Sequence, residues 1–300
     1  SNSASDSIVI KATSGSTATP RQWGILFNSQ LAGSNQQTLV ANTGTGGIQV
    51  TGRSVSTATT GLGDGVGDGL EMYAVSILAK SGPISLTGTT GAGNSDNNVG
   101  CSMDHSTLAR LTPSQVSIGA RASMSLDGVD LSTSTSNVTF GCDSFLVGNS
   151  TQAKSVLTTG TVTLQPADGA QSFDRSVDVS GLTLGSGVTG FTVGQSGTGG
   201  TVSGTTQTAN DLTIPAVSIA GPISIYGQSV SLTGGLASST ASKILVKARG
   251  NITLSASKTV STANGPVVIW GRAGSLESST DAGYFTMDNG ASVTSGGAPI

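Results

Sequence analysis

Asp127 and Asp130, in Leu126-Asp127-Gly128-Val129-Asp130-Leu131, are the closest carboxylate pair outside a glycine loop in a chain with 16 acidic residues. Two neighbouring carboxylates are what acid/base cleavage of a glycosidic bond requires. A corner between two strands explains this pair more simply. The only histidine, His105, follows Asp104 in Ser-Met-Asp-His-Ser-Thr. A serine-histidine-aspartate triad would also need a nucleophile elbow of the Gly-x-Ser-x-Gly kind on a strand-turn-helix, and none is present, so His105 reads as an exposed loop residue. Cys101 and Cys142 have no zinc-ligand spacing. They read either as a disulfide or as two buried thiols acting as small hydrophobes. Two solenoid turns, the separation their spacing suggests, lie about 10 Å apart, beyond ordinary disulfide reach. Gly63-Asp64-Gly65-Val66-Gly67-Asp68-Gly69 is one imperfect copy of a calcium-binding glycine-aspartate turn and reads as a mobile loop. No catalytic residue, cofactor or metal ligand is expected.

The residues that could make contacts are two aromatics set by a repeated phrase. Gly221-Pro222-Ile223-Ser224-Ile225-Tyr226-Gly227 and Gly265-Pro266-Val267-Val268-Ile269-Trp270-Gly271 share one pattern, which also occurs as Gly82-Pro83-Ile84-Ser85-Leu86-Thr87-Gly88. If the aliphatics point inward, period two sends Tyr226 and Trp270 outward at equivalent positions two turns apart. Exposed rings there could stack on a sugar or anchor a partner protein; the alternative is that a loop covers them.

These phrases belong to a chain built of short strands. SVSLT, KILVKA and NITLSA lie between the two late copies, and SIVIKA (7–12), GIQVTG (47–52), NVTFG (137–141) and TVTLQ (161–165) continue the style. Apolar residues at i and i+2 bury one face and leave Ser, Thr or Gln on the other. Helical periodicity is absent, and so much Gly, Ser, Thr and Val disfavours helices. Short strands broken by small residues fit a parallel β-helix better than a sandwich with long antiparallel strands. Turns of 20 to 25 residues would give about 12–14 of them, in one continuous segment over 1–300. Ile225→Asp in such a core is expected to be severe.

Composition agrees. The chain has 44 Gly, 47 Ser and 40 Thr, with only 10% charged residues, so hydroxyls and backbone must wet its surface. Its 35% apolar content and net charge of −3 argue against disorder. The 13 basic residues form no run, so no nucleic-acid partner is expected. No stretch approaches the length of a membrane helix, and no membrane insertion by this segment is expected. The absence of an initiator Met and of a signal-peptide pattern suggests a mature product or an interior fragment.

The order GPISIYGQSVSLTG, KILVKARGNITLSASKTVSTANGPVVIWGRAG, GYFTMDNGASVTSGG resembles the repeat regions of large secreted bacterial adhesins of the filamentous-haemagglutinin type. The resemblance covers 215–297 best and is echoed at 76–88. It implies a right-handed parallel β-helix, export to the cell surface or the medium, and attachment or matrix building. The implied partners are a host or neighbouring-cell surface glycan or protein, or further copies of the chain. That family's secretion motif of the Asn-Pro-Asn-Leu kind has no match here, so the segment is expected to be part of a longer protein. The second expectation is a structural subunit of an extracellular fibre or sheath assembling end to end. The third is a polysaccharide-acting β-helix enzyme.

Overall fold

In a computed structural model, the structure describes residues 7–14, 24–28, 38–54, 69–73, 75–79, 83–89, 99–104, 107–108, 115–120, 123–127, 130–131, 137–141, 144–147, 155–156, 158–165, 173, 177–179, 182–194, 211–271 and 283–300. Those residues form strands and connections only; no helix occurs among them. The chain divides into two compact units, Ser1–Thr159 and Gly160–Ile300.

Pairing in both units is parallel, and most described strands pair with the third one on. In the first unit Ile8–Thr13 pairs with Ile48–Arg53, which pairs with Ile84–Thr89, then Gln115–Ala120, then Asn137–Gly141. A second column starts Ile25–Asn28, Leu70–Tyr73 and Val99–Asp104, and a third starts Thr38–Asn42 and Val75–Ala79. The second unit repeats the plan. Its first column is Thr161–Gln165, Gly190–Val193, Ile223–Gly227, Ile244–Ala248 and Val267–Trp270. Its second includes Leu212–Ile214, Val230–Leu232, Ile252–Leu254 and Phe285–Met287, and its third Val217–Ile219, Leu236–Ser238, Thr259–Thr262 and Ser292–Thr294.

In several strands the alternation read from the sequence sets which side is buried. Along Ile223–Gly227 the residues alternate buried and half-buried, with Ile223 and Ile225 inward. Register then stacks like on like. Phe191, Ile223, Ile244 and Val267 form one inward file, and Val193, Ile225 and Val246 form the next. The second column adds the files Leu212-Val230-Ile252 and Ile214-Leu232-Leu254, all buried. Each file removes apolar surface from water continuously, which is the main stabilising term for stacked rungs.

Among the described residues the strands form ten triplets, five in each unit, against the 12 to 14 turns expected from the sequence. Register gives the reason. Ile8 opposes Ile48, Ile48 opposes Ile84, Ile84 opposes Val116 and Val116 opposes Val138, steps of 40, 36, 32 and 22 residues. In the second unit Val162, Phe191, Ile223, Ile244 and Val267 oppose in turn, steps of 29, 32, 21 and 23. Long connections between strands widen the early rungs, and loop closure grows only slowly in cost with length. The late pair of Gly-Pro phrases does lie two rungs apart in one column.

The phrase itself has a physical cause. A Cβ on Gly221 would fall on the carbonyl oxygen of Thr189 in the preceding rung, and one on Gly265 on that of Ser242. Only glycine lets the backbones come so close. The next residue, proline, needs no donor at the head of a strand, and its carbonyl accepts the first N–H of the rung before. Ile48 N–H donates to Pro83 O at 2.7 Å, Phe191 N–H to Pro222 O at 2.9 Å and Ile244 N–H to Pro266 O at 3.0 Å. Val267 N–H donates to Pro299 O at 3.0 Å in the same manner, so Ala298-Pro299-Ile300 is a fourth copy that the sequence hides by replacing glycine with alanine.

Corners are tied by side chains. Ser238 and Thr262 are register partners at the end of the third column, and both are buried, as is Ser295. Each hydroxyl donates to a nearby carbonyl of its own corner, to Thr240, Gly265 and Ala298 respectively. In the first unit the buried Asn42 accepts from Gly44 N–H at 2.9 Å and donates to Gly47 O at 3.3 Å. Buried polar groups are tolerated where they are satisfied in this way. Thr262→Val should therefore cost about 1–3 kcal/mol by leaving the Gly265 carbonyl without its donor, a loss that a thermal melt would register.

Candidate functional site

The outer face of the first column in the second unit gathers the residues with the most contact chemistry. Tyr226 is opposite Lys247, and Lys247 is opposite Trp270. The two rings therefore share one outward file two rungs apart, about 10 Å along the stack. Trp270 is 37% exposed and Tyr226 is half-buried. Between them the Lys247 ammonium lies 4.7 Å from the centre of the Trp270 ring, a cation–π contact.

The strand that supplies Lys247 carries a row of cations. Ile244, Val246 and Ala248 are buried in the core, so alternation puts Lys243, Leu245, Lys247 and Arg249 on the outer side. Neighbours in this row stand about 6.6 Å apart, twice the rise per residue. Lys243 is exposed and Arg249 half-buried. The Arg249 Nε is shielded from solvent and has no hydrogen-bond partner among the described residues. Polar neighbours flank the row: Ser224 opposes Leu245, and the Gly250 N–H donates to Gln228 O at 2.6 Å beside Arg249.

Lys247 is 9% exposed, and this burial, with the Lys243 charge nearby, holds its pKa below the ordinary 10.5. The unfolded chain then binds more protons than the folded one in the alkaline range below 10.5, so stability rises as pH climbs through that range. We expect denaturant midpoints to increase there, and the increase to shrink in Lys247→Met.

A groove with a volume of about 630 Å³ runs over the outer face of the third column in this unit. Its floor is the register file Ser218-Ala237-Ser261, and Thr183, Lys258 and Thr259 edge it. Among the described residues that line it, Lys258 is the one ionisable group.

Asp127 ends the strand Ser123–Asp127 and Asp130 begins the strand Asp130–Leu131, which belong to different columns. Cys101 lies on the strand Val99–Asp104, opposite Leu70 and Met124. Cys142, His105 and residues 61–68 lie outside the described residues. Among the described residues no group of three or more His, Cys, Asp or Glu could hold a metal ion.

Sequence reasoning placed Tyr226 and Trp270 but missed the cation row. The signal was present in KILVKAR as a basic residue at every second or fourth position, and no run of adjacent charges announces it.

No family model, no curated protein and no solved structure matches this chain.

Proposed function

We propose that the chain is a non-enzymatic segment of a surface-exposed or secreted bacterial adhesin, built as a right-handed parallel β-helix and acting as a stiff support for attachment. The observation that carries this reading is the parallel pairing of strands with the third one on, which stacks the core in files. On such a scaffold the side chains of the outer face are held in fixed rows, and a face with Tyr226, Lys247 and Trp270 in one file is a contact surface. The resemblance of 215–297 to haemagglutinin-type repeats supports the same reading.

The chain coupled to beads should attach to cells or to their surface material, whereas beads carrying an unrelated β-rich protein should not. Trp270→Ala should lower attachment several-fold while leaving circular dichroism unchanged. Attachment equal to that of the unrelated protein would overturn the proposal.

A second reading, a subunit of an extracellular fibre, is favoured by one observation. Phe285 and Met287 continue the files of Ile252 and Leu254, which are fully buried, yet they are 36% and 42% exposed. Apolar edge strands of this kind invite pairing with another chain. Concentration-dependent filaments in electron micrographs would favour the fibre over a monomeric adhesin.

A further inference from the structure

Asn-Gly occurs twice in the chain, at Asn264-Gly265 and Asn289-Gly290, each time at a corner between two columns of the second unit. We propose that Asn289 is a self-modifying site: its side-chain amide closes onto the Gly290 nitrogen and hydrolyses to aspartate and isoaspartate, whereas the fold holds Asn264 back. This chemistry is independent of the adhesin reading.

The reaction needs only water. The Gly290 N–H gives its proton to solvent base and the nitrogen attacks Asn289 Cγ; ammonia then leaves with a proton, and a succinimide ring remains. Water opens that ring at either carbonyl. Breaking the bond from the nitrogen to Cγ gives aspartate. Breaking the bond from the nitrogen to the main-chain carbonyl carbon gives isoaspartate, in which the chain runs through the former side chain. Over both steps an amide and a water become a carboxylate and an ammonium ion. Glycine favours the attack because no Cβ shields its nitrogen.

Three features open Asn289 to this reaction. First, Asn289 and Gly290 are the central residues of a turn closed by the Ala291 N–H on the Asp288 carbonyl at 3.0 Å. Gly290 has φ 77°, near the roughly +80° of the third residue in a type II turn. Second, both residues are exposed, and a Cβ on Gly290 would meet nothing closer than Ser257 Oγ at 3.3 Å, so solvent base has access and the peptide has room to rotate. Third, among the described residues the Asn289 side chain has no hydrogen-bond partner and the Gly290 N–H no acceptor, so neither must be released before the ring closes.

Asn264-Gly265 has the same two residues in a packed setting. Gly265 is buried, and a Cβ on it would fall 2.1 Å from the Ser242 carbonyl oxygen, so the backbone of the preceding rung blocks its rotation. The Gly265 carbonyl accepts from the Thr262 hydroxyl, and the Pro266 carbonyl from the Ile244 N–H at 3.0 Å. Asn264 Oδ1 lies against the following rung, 3.2 Å from where a Cβ on Gly296 would stand. Cyclisation there would have to move the corner away from the rungs on both sides.

Isoaspartate lengthens the main chain by one carbon and leaves a free carboxylate where the Asn289 carbonyl now accepts from the Ser257 N–H at 3.1 Å. This corner joins Phe285–Met287 to Ser292–Thr294, whose registers on Ile252–Leu254 and Thr259–Thr262 depend on its length. Both strands should loosen in the modified chain and uncover the file ends at Ile252 and Leu254.

A time course on the full chain at mildly alkaline pH, folded and in denaturant, tests the proposal. Proteolysis and mass spectrometry locate each conversion of amide to acid, heavy-oxygen water marks it, and chromatography separates isoaspartate from aspartate. In the folded chain Asn289 should convert at least tenfold faster than Asn264, with isoaspartate among the products and a rate that rises with pH. In denaturant the two should converge, because each is then the same dipeptide in an open chain. Asn289→Gln, whose longer side chain closes poorly, should stay intact at this position over the same period. An unconverted Asn289, equal or faster conversion of Asn264 in the folded chain, or a contrast that persists in denaturant would each overturn the inference. Hydrogen exchange reads the consequence. Amides of 285–287 and 292–294 should exchange several-fold faster in the isoaspartyl fraction than in Asn289→Asp, which has the same charge and an unlengthened chain. Equal exchange in the two would overturn the loosening.

Discussion

Ile225→Asp should abolish the cooperative unfolding transition of residues 160–300 at neutral pH. Ile225 is fully buried and lies in an inward file between Val193 and Val246. A carboxylate there has no partner cation and no water, and the cost of such a buried charge is several kcal/mol. That is comparable with the whole stability of a typical domain, about 5–15 kcal/mol. Ile225 stacks on a residue of the paired strand to either side, so a break at this file weakens both neighbouring strands. Thermal melts followed by circular dichroism should show a broad, early loss of signal. Acidification, which neutralises the introduced group, should restore part of the transition. Ile225→Val, which removes one methylene, should cost only about 0.5–1.5 kcal/mol. A variant with aspartate that melts as the parent does would show that this file is not a dry core.

Gly221→Ala is the second large effect, and it tests the Gly-Pro phrase rather than the core. The added methyl would overlap the Thr189 carbonyl, a backbone group that cannot rotate away. The rungs must separate locally, and overpacking of this kind costs about 1–3 kcal/mol or more. Gly271→Ala, at the end of the same pattern, is the control. Its nearest neighbour would be the Gly250 carbonyl at 3.4 Å, an ordinary contact, so its melting temperature should stay close to that of the parent. Equal melting of the two variants would refute the close-approach account. Pro222→Ala should lie nearer the control, because the carbonyl that accepts from Phe191 N–H is kept.

Much of the architecture was legible because a strand writes its burial into every second residue. Ile223 and Ile225 inward, with Ser224 and Tyr226 outward, could be read directly. The two late Gly-Pro phrases also carried long-range information, since each marks the same close approach of one rung to the next. From that alone Tyr226 and Trp270 could be set in one file. The number of rungs was not legible, because it depends on how many residues each connection takes. The early connections are long: Ile8 and Ile48 are partners across 40 residues.

The candidate site divides in the same way. The sequence by itself determined the strand period, the all-β character and the shared position of the two aromatics, because these follow from local spacing and from a glycine that only one geometry requires. The tertiary structure decided that the strand beginning at Ile244 lies between the two phrases and brings Lys247 against Trp270. That strand has Lys243 where its neighbours have proline, so the phrase does not mark it, and its register is set by the stacking of Ile244 and Val246 on Ile223 and Ile225. Lys243, Lys247 and Arg249 come to share one side of the strand, with Leu245 between them, only when Ile244, Val246 and Ala248 turn into the core.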